Sequence, residues 1–600
     1  MMQKASILSV ICCLCVAFST WAQTAIKAIS STSTNPNLVA TIGKNIQDFV
    51  EEIDPQSERK RLGIRSFPWS DFVPTGFYIS AGKELQIEAQ NTVGSNLPSI
   101  IIGTYNYNDE KKPQVVALQA GLNSIKAEKG GLIWVRYNSK TPNSKAQLNF
   151  KSGYVKAPTF IKGIDNASTW KAQLDKSAAP EVVLVGNRII QMYSLDYAKS
   201  IQTEDLNFVL QTADNIWDWQ NEFSGMDGSS PMHKLPAHNR MLMVESFKTK
   251  TGCAYASSYG TAYGEGCAKA AFTSEIAKNG WGTWHELGHE HQQYIWTYNL
   301  LTEVTVNLYT LHVERKLGIK NGRLRVENMY IPALEFIKNK SANKDFVTMT
   351  GTYNDHFTRL VMFQQLYLAF GEKFYPEIHK RARVEDKGEN LSDLDKQKWF
   401  VKTACQVSGK DLSHFFQEWG FKLGTDFYKE IAALKLPKPS VEPSTLVEEQ
   451  PLLSLPYPIE KEVKSNIPYV IVSPITGKHG FDFNQELSMY AIHGGKHQQW
   501  FLKGTKDGYW QIVNQANTDI VLEAKGNTVG SIVGAGKNVE GDHQKWKMSK
   551  YETGERLFMP KCAPELYIDF ADINVGNGVK PILNKKTGGN TQKFYFLKIE

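Results

Sequence analysis

Five residues, His285-Glu286-Leu287-Gly288-His289, restrict this chain more than any other stretch of it. Two imidazoles four positions apart reach a common point when the backbone between them is helical, because residues i and i+4 lie one above the other on a helix face. The segment is therefore predicted to be a helix that offers two ring nitrogens to one zinc ion. Glu286 follows the first imidazole and stands where a general base for a metal-held water is needed, as in H-E-x-x-H hydrolases. Zinc lowers the pKa of its water to about 7, so a carboxylate can accept that proton near neutrality.

Two ligands leave such a centre incomplete, and the residues downstream decide its class. A His-x-x-Gly-x-x-His continuation needs glycine and histidine where the chain has Gln292 and Ile295. Glu290 and His291 project from other faces of the helix. Leu301-Thr-Glu-Val-Thr-Val-Asn307 instead supplies Glu303, fourteen residues past His289, from the next helix. The expected centre is one Zn2+ per chain held by His285, His289 and Glu303, with Glu286 as the catalytic base.

The run Gly-Trp-Gly-Thr-Trp-His-Glu-Leu-Gly-His at 280–289, Gln292, and Glu303-Val-Thr-Val-Asn307 together resemble the enhancin-like zinc metallopeptidases of the gluzincin class. Phe357 to Arg381, with Phe363-Gln-Gln-Leu, and Cys405 to Phe421, with Phe415-Phe-Gln-Glu-Trp-Gly-Phe421, are similar to the same family. The resemblance extends over roughly residues 60 to 430. It implies a zincin catalytic domain and peptide-bond hydrolysis in mucin-like, O-glycosylated proteins, which viral and bacterial members attack.

From the start of the chain, residues 1–22 read as a secretory signal, with Lys4, an apolar run from Ile7 to Phe18, and Ala22 before a cleavage point. The apolar run is too short for a membrane span. Residues 23–45 form a Ser/Thr/Asn-rich tether. From 46 to 160, short segments alternating in period two, among them Glu84-Leu-Gln-Ile-Glu-Ala and Ala146-Gln-Leu-Asn-Phe, predict a β-sandwich-like module. From 161 to 435 the periodicity is helical, and this is the predicted mainly α-helical catalytic domain. Trp217 and Trp219 lie in it either as core residues or as sugar platforms. Export permits disulfides, and Cys253 and Cys267 flank a small-residue loop ahead of the zinc helix. A bridge there would stiffen one wall of the site; two buried thiols are the alternative.

A Pro-rich linker covers 436–464. Beyond it, Gln498-Gln-Trp500, Gln544-Lys-Trp546 and Gln592-Lys-Phe594 recur at intervals of 46 and 48 residues, so 465–600 is predicted to be a threefold structure sharing one core. It resembles the ricin-type β-trefoil lectin domain. That resemblance implies one shallow sugar pocket per repeat, an Asp accepting hydroxyl protons and an aromatic ring stacking on the sugar. Repeat one offers Asp482 and Tyr490, with His497 and Gln498 beside them. Repeat two has Glu523 and Gly534, and repeat three Asp569 and Asn584, in the corresponding places. A purely structural trefoil stays open as the alternative.

A formal charge of +7 spread over 600 residues argues against nucleic acid as a partner. The expected protein is a secreted, periplasmic or cell-surface bacterial zinc endopeptidase acting on mucin-like glycoproteins, without a transmembrane segment, whose C-terminal domain binds glycans. The rivals are a glycan-binding adhesin with an inactive peptidase domain and a general zinc protease indifferent to sugar.

Overall fold

The computed structural model describes residues 41–598, except 66–69, 108–111, 236–239, 247–252, 320–321, 328, 340, 342, 350–352, 386–387, 449–458, 476, 478, 552–553, 572–574 and 588. The expected signal and most of the tether lie outside the described residues, as does the middle of the linker. The chain forms two compact units. The first takes in the N-terminal module and most of the helical domain; the second comprises 320–344, 349–361 and 445–600.

The N-terminal module is two antiparallel sheets sharing one core. Strands Ile46–Val50, Lys145–Ser152, Glu84–Val93 and Gly121–Lys126 form one sheet; Val155–Lys156, Phe72–Ile79, Gly131–Arg136, Ser99–Ile102 and Gln114–Ala117 form the other. Leu85, Ile87, Leu148 and Phe150 from the first meet Phe77, Ile79, Ile100 and Ile133 from the second. The predicted alternation holds in Glu84–Val93, where core and solvent positions interleave. It fails in Phe72–Ile79, whose eight residues are all buried. The physical reason is a second contact: Phe72, Tyr78, Ile101, Leu132 and Trp134, on the outer face, pack against the sheet of the next domain. A strand covered on both sides has no polar face to display.

That next sheet is mixed and six-stranded, a feature that helical periodicity downstream masked in the sequence. Its strands are β1 (Thr159–Ile161), β2 (Glu181–Val185), β3 (Ile189–Ser194), β4 (Met241–Glu245), β5 (Ala254–Ser257) and β6 (Gly260–Tyr263), in the order β1-β2-β3-β4-β6-β5. β2 and β3 are buried along almost their whole length and largely apolar, with Glu181 and Gln191 as buried exceptions, so they carry no period-two signal. β5 is an edge strand, paired antiparallel with β6.

Four helices carry the rest of the argument: α1 (Leu206–Phe223), α2 (Glu265–Phe272), α3 (Trp281–His289) and α4 (Thr302–Lys316). α1 starts at Asp205, whose carboxylate accepts from the N–H of Phe208, a cap worth about 1 kcal/mol. Trp217 and Trp219 are buried in the core and are not open to a sugar.

The C-terminal domain has twelve strands among its described residues, from Pro468–Val472 to Tyr595–Leu597. Ten form one curved sheet and two a separate pair. Trp500, Trp546 and Phe594, the recurring aromatics, are fully buried in a single core. The indole N–H of Trp500 donates to the carbonyl of Phe481 at 3.1 Å, and that of Trp546 to Leu522 at 3.0 Å. The repeat seen in the sequence is thus repeated in space, with the indole bond kept in two copies and a phenyl ring, Phe594, filling the third place.

Candidate active site

α3 and α4 come together because the position between them, Gly288, carries no obstructing side chain. A Cβ on Gly288 would stand 3.1 Å from the carbonyl oxygen of Val306 and 3.3 Å from the Cβ of Tyr309. Gly280 serves the start of α3 similarly: a Cβ there would lie 2.4 Å from the indole nitrogen of Trp284, which donates to Ile276 O at 2.9 Å. The glycines of the motif are therefore packing residues, one anchoring the helix and the other letting α4 approach.

The consequence is a convergence of three side chains. His285 Nε2 lies 3.0 Å and His289 Nε2 3.6 Å from Glu303 Oε2. All three ligand-capable atoms fall within 4.8 Å of one another, a spacing that one metal ion can bridge. Glu303 sits in the first turn of α4, where the helix dipole favours a carboxylate.

Both rings are oriented from behind. His285 Nδ1 is 2.8 Å from Asn307 Oδ1, and His289 Nδ1 is 2.8 Å from Gln292 Oε1. An amide oxygen can only accept, so each Nδ1 carries a proton, and it is through Nε2 that each ring faces Glu303 and would reach a metal ion. The amides are themselves fixed: Asn307 Nδ2 donates to Glu303 O, and Gln292 Nε2 donates to Thr302 O and Thr305 Oγ1. Neither residue had been assigned a role from the sequence. The available signal was spacing, Gln292 three past His289 and Asn307 four past Glu303, each one helical turn from a ligand-type residue.

The N-terminal module reaches this support. The N–H of Arg65 donates to Gln292 O at 2.7 Å, and its guanidinium to Thr302 Oγ1 at 2.6 Å. Gln293 Nε2 donates to Leu62 O. From the other side, Gln220 of α1 donates to Trp284 O at 2.7 Å.

Electrostatics follow from this packing. The imidazoles of His285 and His289 hold the Glu303 carboxyl far below the usual carboxylate range. Burial pulls His285 toward neutrality, but its bond to Glu303 and the charge of Glu286 win, and its proton affinity is raised. Burial raises the Glu286 carboxyl, only partly offset by the two imidazoles and by the backbone N–H of Ala256 on β5. Glu290 and His291 point inward. Burial, with Glu286 nearby, pushes Glu290 well above its ordinary value, and burial drops His291 to about 3. His291 packs on the ring of Trp217 at 4.6 Å.

Cys253 and Cys267 are joined, with Cα atoms 5.4 Å apart. The bridge ties the residue before β5 to α2, and so holds the edge strand that borders Glu286. In the C-terminal domain, Asp482 is buried with the imidazoles of His493 and His497 on it, while Tyr490 is half-exposed at 46%. Gln498, expected at the sugar pocket, is instead fully buried: it accepts from His493 N–H and donates to Ala491 O, which makes it part of the scaffold.

Residues 153–420 match the family of peptidase M60, enhancin and enhancin-like; 54–151 match the N-terminal domain of M60-like peptidases; 496–584 match the ricin-type β-trefoil lectin domain-like family. The TRPM8 channel-associated factor homolog of Danio rerio is 24% identical over 385 residues, 61% of this chain and 40% of that protein. The chain spans about two fifths of the length of the first curated relatives it matches. A functionally unknown conserved protein from Bacillus anthracis, whose structure is solved, is 25% identical with a TM-score of 0.61, over 79% of this chain and 97% of that one. The M60 catalytic domain of ZmpC from Clostridium perfringens, solved in complex with the sialyl T antigen, shares the fold at 17% identity and a TM-score of 0.58, over 86% of this chain and 98% of that one.

Gly288→Val tests the helix contact. The added branches meet the α4 backbone, which cannot rotate away, so the variant is expected to lose about 1–3 kcal/mol of stability. The fall in the urea midpoint should accompany a longer His285–Glu303 separation in a crystal structure of the variant.

Proposed function

We propose that this chain, whose residues 153–420 match the peptidase M60, enhancin and enhancin-like family and 54–151 the N-terminal domain of M60-like peptidases, is a secreted zinc endopeptidase cutting O-glycosylated, mucin-like glycoproteins. The observation that carries the reading is the meeting of His285 Nε2, His289 Nε2 and Glu303 Oε2 at one point, with both Nδ1 atoms already engaged. Two neutral imidazoles and a carboxylate are a donor set that suits zinc and leaves it an open position. When bound, zinc would polarise the scissile carbonyl and make a water acidic enough to be deprotonated at neutral pH.

The chain's own residues supply the remainder. Glu286, with its carboxyl raised by burial, takes a proton from the attacking water and returns it to the departing amine. Both transfers need a group that exchanges protons readily, and burial that raises the carboxyl above its ordinary value moves Glu286 in that direction. β5 offers its free edge beside Glu286, where an extended substrate backbone can pair as an added strand. The Cys253–Cys267 bridge keeps that edge in place and suits an oxidising, extracellular compartment.

Glycoprotein preference rests on the family and on the neighbour solved with a sialylated sugar antigen. The ricin-like domain adds a tether to glycans, raising local enzyme concentration without touching the chemistry.

Digestion of one peptide with and without its O-glycan, read by mass spectrometry, tests the proposal. Cleavage of the glycosylated form alone, abolished by chelator and restored by zinc, is expected. Equal cleavage of both forms would move the reading to a general protease, and a zinc-loaded protein that binds mucin and cuts neither would make it an adhesin. Glu286→Gln should lower kcat/KM about 10²–10⁴-fold with zinc content unchanged.

Metal affinity should also depend on pH in a definite direction. The proton on His285 is held above its ordinary value of 6.5 and must leave before metal binds. Apparent affinity therefore falls as pH drops, by about tenfold per unit for each displaced proton. Dye-competition titrations at about pH 5.5 and about pH 7.5 check this, and a flat profile would contradict it.

A further inference from the structure

We propose that the first repeat of the C-terminal domain holds a second divalent metal ion of the zinc class, on Asp482, His493 and His497. Asp482 lies on the strand His479–Asn484, His493 follows the strand Glu486–Ala491, and His497 sits in the 3-10 turn Lys496–Gln498. His493 Nε2 is 3.3 Å and His497 Nε2 3.5 Å from Asp482 Oδ2, and the three ligand-capable atoms lie within 4.8 Å of one another. The donor set and spacing parallel those of the peptidase centre. The carboxylate is buried while the two imidazole side chains are 42% and 39% exposed, so a bound ion would keep a face open to solvent.

The threefold repeat supplies an internal control. Gln498, Gln544 and Gln592 do the same work in each copy: the side-chain oxygen accepts from the N–H of His493, Val539 and Thr587, and the nitrogen donates to the carbonyl of Ala491, Lys537 and Lys585. The positions of His493 and His497 are thus filled by Val539 and His543 in repeat two, and by Thr587 and Thr591 in repeat three. The fold does not require histidine at either place.

The acid is also treated differently. Gln544 donates to Glu523 and Gln592 to Asp569, and Glu523 is further paired with Lys525. In repeat two one imidazole, that of His543, also lies 3.7 Å from Glu523, whereas in repeat one two imidazoles stand on the carboxylate. Gly495 makes room for them, since a Cβ there would lie 2.8 Å from the Cε1 of each ring.

Binding through Nε2 puts the proton of His493 on Nδ1 and exchanges the 3.2 Å contact it accepts from Gly495 N–H. That bond is long, and a metal–imidazole bond is much stronger.

Full-length protein dialysed against buffered zinc and measured by elemental analysis tests the site. The wild type should retain two equivalents and His493→Ala/His497→Ala one, while His543→Ala should leave the count unchanged. In His285→Ala/His289→Ala the remaining equivalent should survive, and cobalt loaded there should give a visible absorption band that the trefoil double variant lacks. A wild type with one equivalent that His493→Ala/His497→Ala retains would overturn the proposal and show the triad to be hydrogen-bonded only. One equivalent lost with that same variant would uphold it and count against the peptidase centre instead.

Discussion

The contact on which this molecule depends is the approach of α3 to α4 across Gly288. A Cβ at that position would stand 3.1 Å from the side chain and the carbonyl oxygen of Val306, so a larger residue requires α4 to give way. Glu303 is delivered to the two imidazoles by that approach, since it lies one turn ahead of Val306 and Asn307 on the same helix. The ionised state of Glu303, the raised proton affinity of His285 and the tautomers of both rings are consequences of the same geometry. The Glu303 carboxylate, about half exposed, is answered by two imidazoles, and the imidazoles by two amides.

Those amides are held in turn by residues far away in sequence. Arg65 binds the carbonyl of Gln292 and the hydroxyl of Thr302, so the N-terminal module braces the loop between the ligand helices. The same module lays one sheet face against the mixed sheet β1–β6, which accounts for an eight-residue strand with no exposed position. The module is part of the support of the site as much as a neighbour to it. The disulfide acts on the opposite wall, pinning β5 to α2.

The C-terminal domain argues by comparison with itself. Three copies share the glutamine bridge and the buried aromatic, and differ in what surrounds the acid. Where scaffold residues repeat and pocket residues do not, the differences carry the chemistry. Repeat one alone among the three sets two histidines on its carboxylate.

The sequence by itself determined the elements whose signal is local. The i, i+4 histidines demanded a helix, the recurring Gln-x-aromatic motif demanded three equivalent copies, and alternation marked the strands with one wet face. It could also nominate Glu303, because only a carboxylate from the next helix remained once Gln292 and Ile295 had ruled out a third histidine. What only the tertiary structure decided was everything set by contact between distant segments. The roles of Gln292 and Asn307 depend on which face turns toward which ring, the mixed sheet is hidden in strands buried on both faces, and Gln498 looks like a pocket residue until its partners are seen. The reason is one of kind: periodicity reports how a segment meets solvent, whereas tautomer, ionisation and ligand geometry are fixed by which side chains meet once α3, the loop after it and α4 pack together.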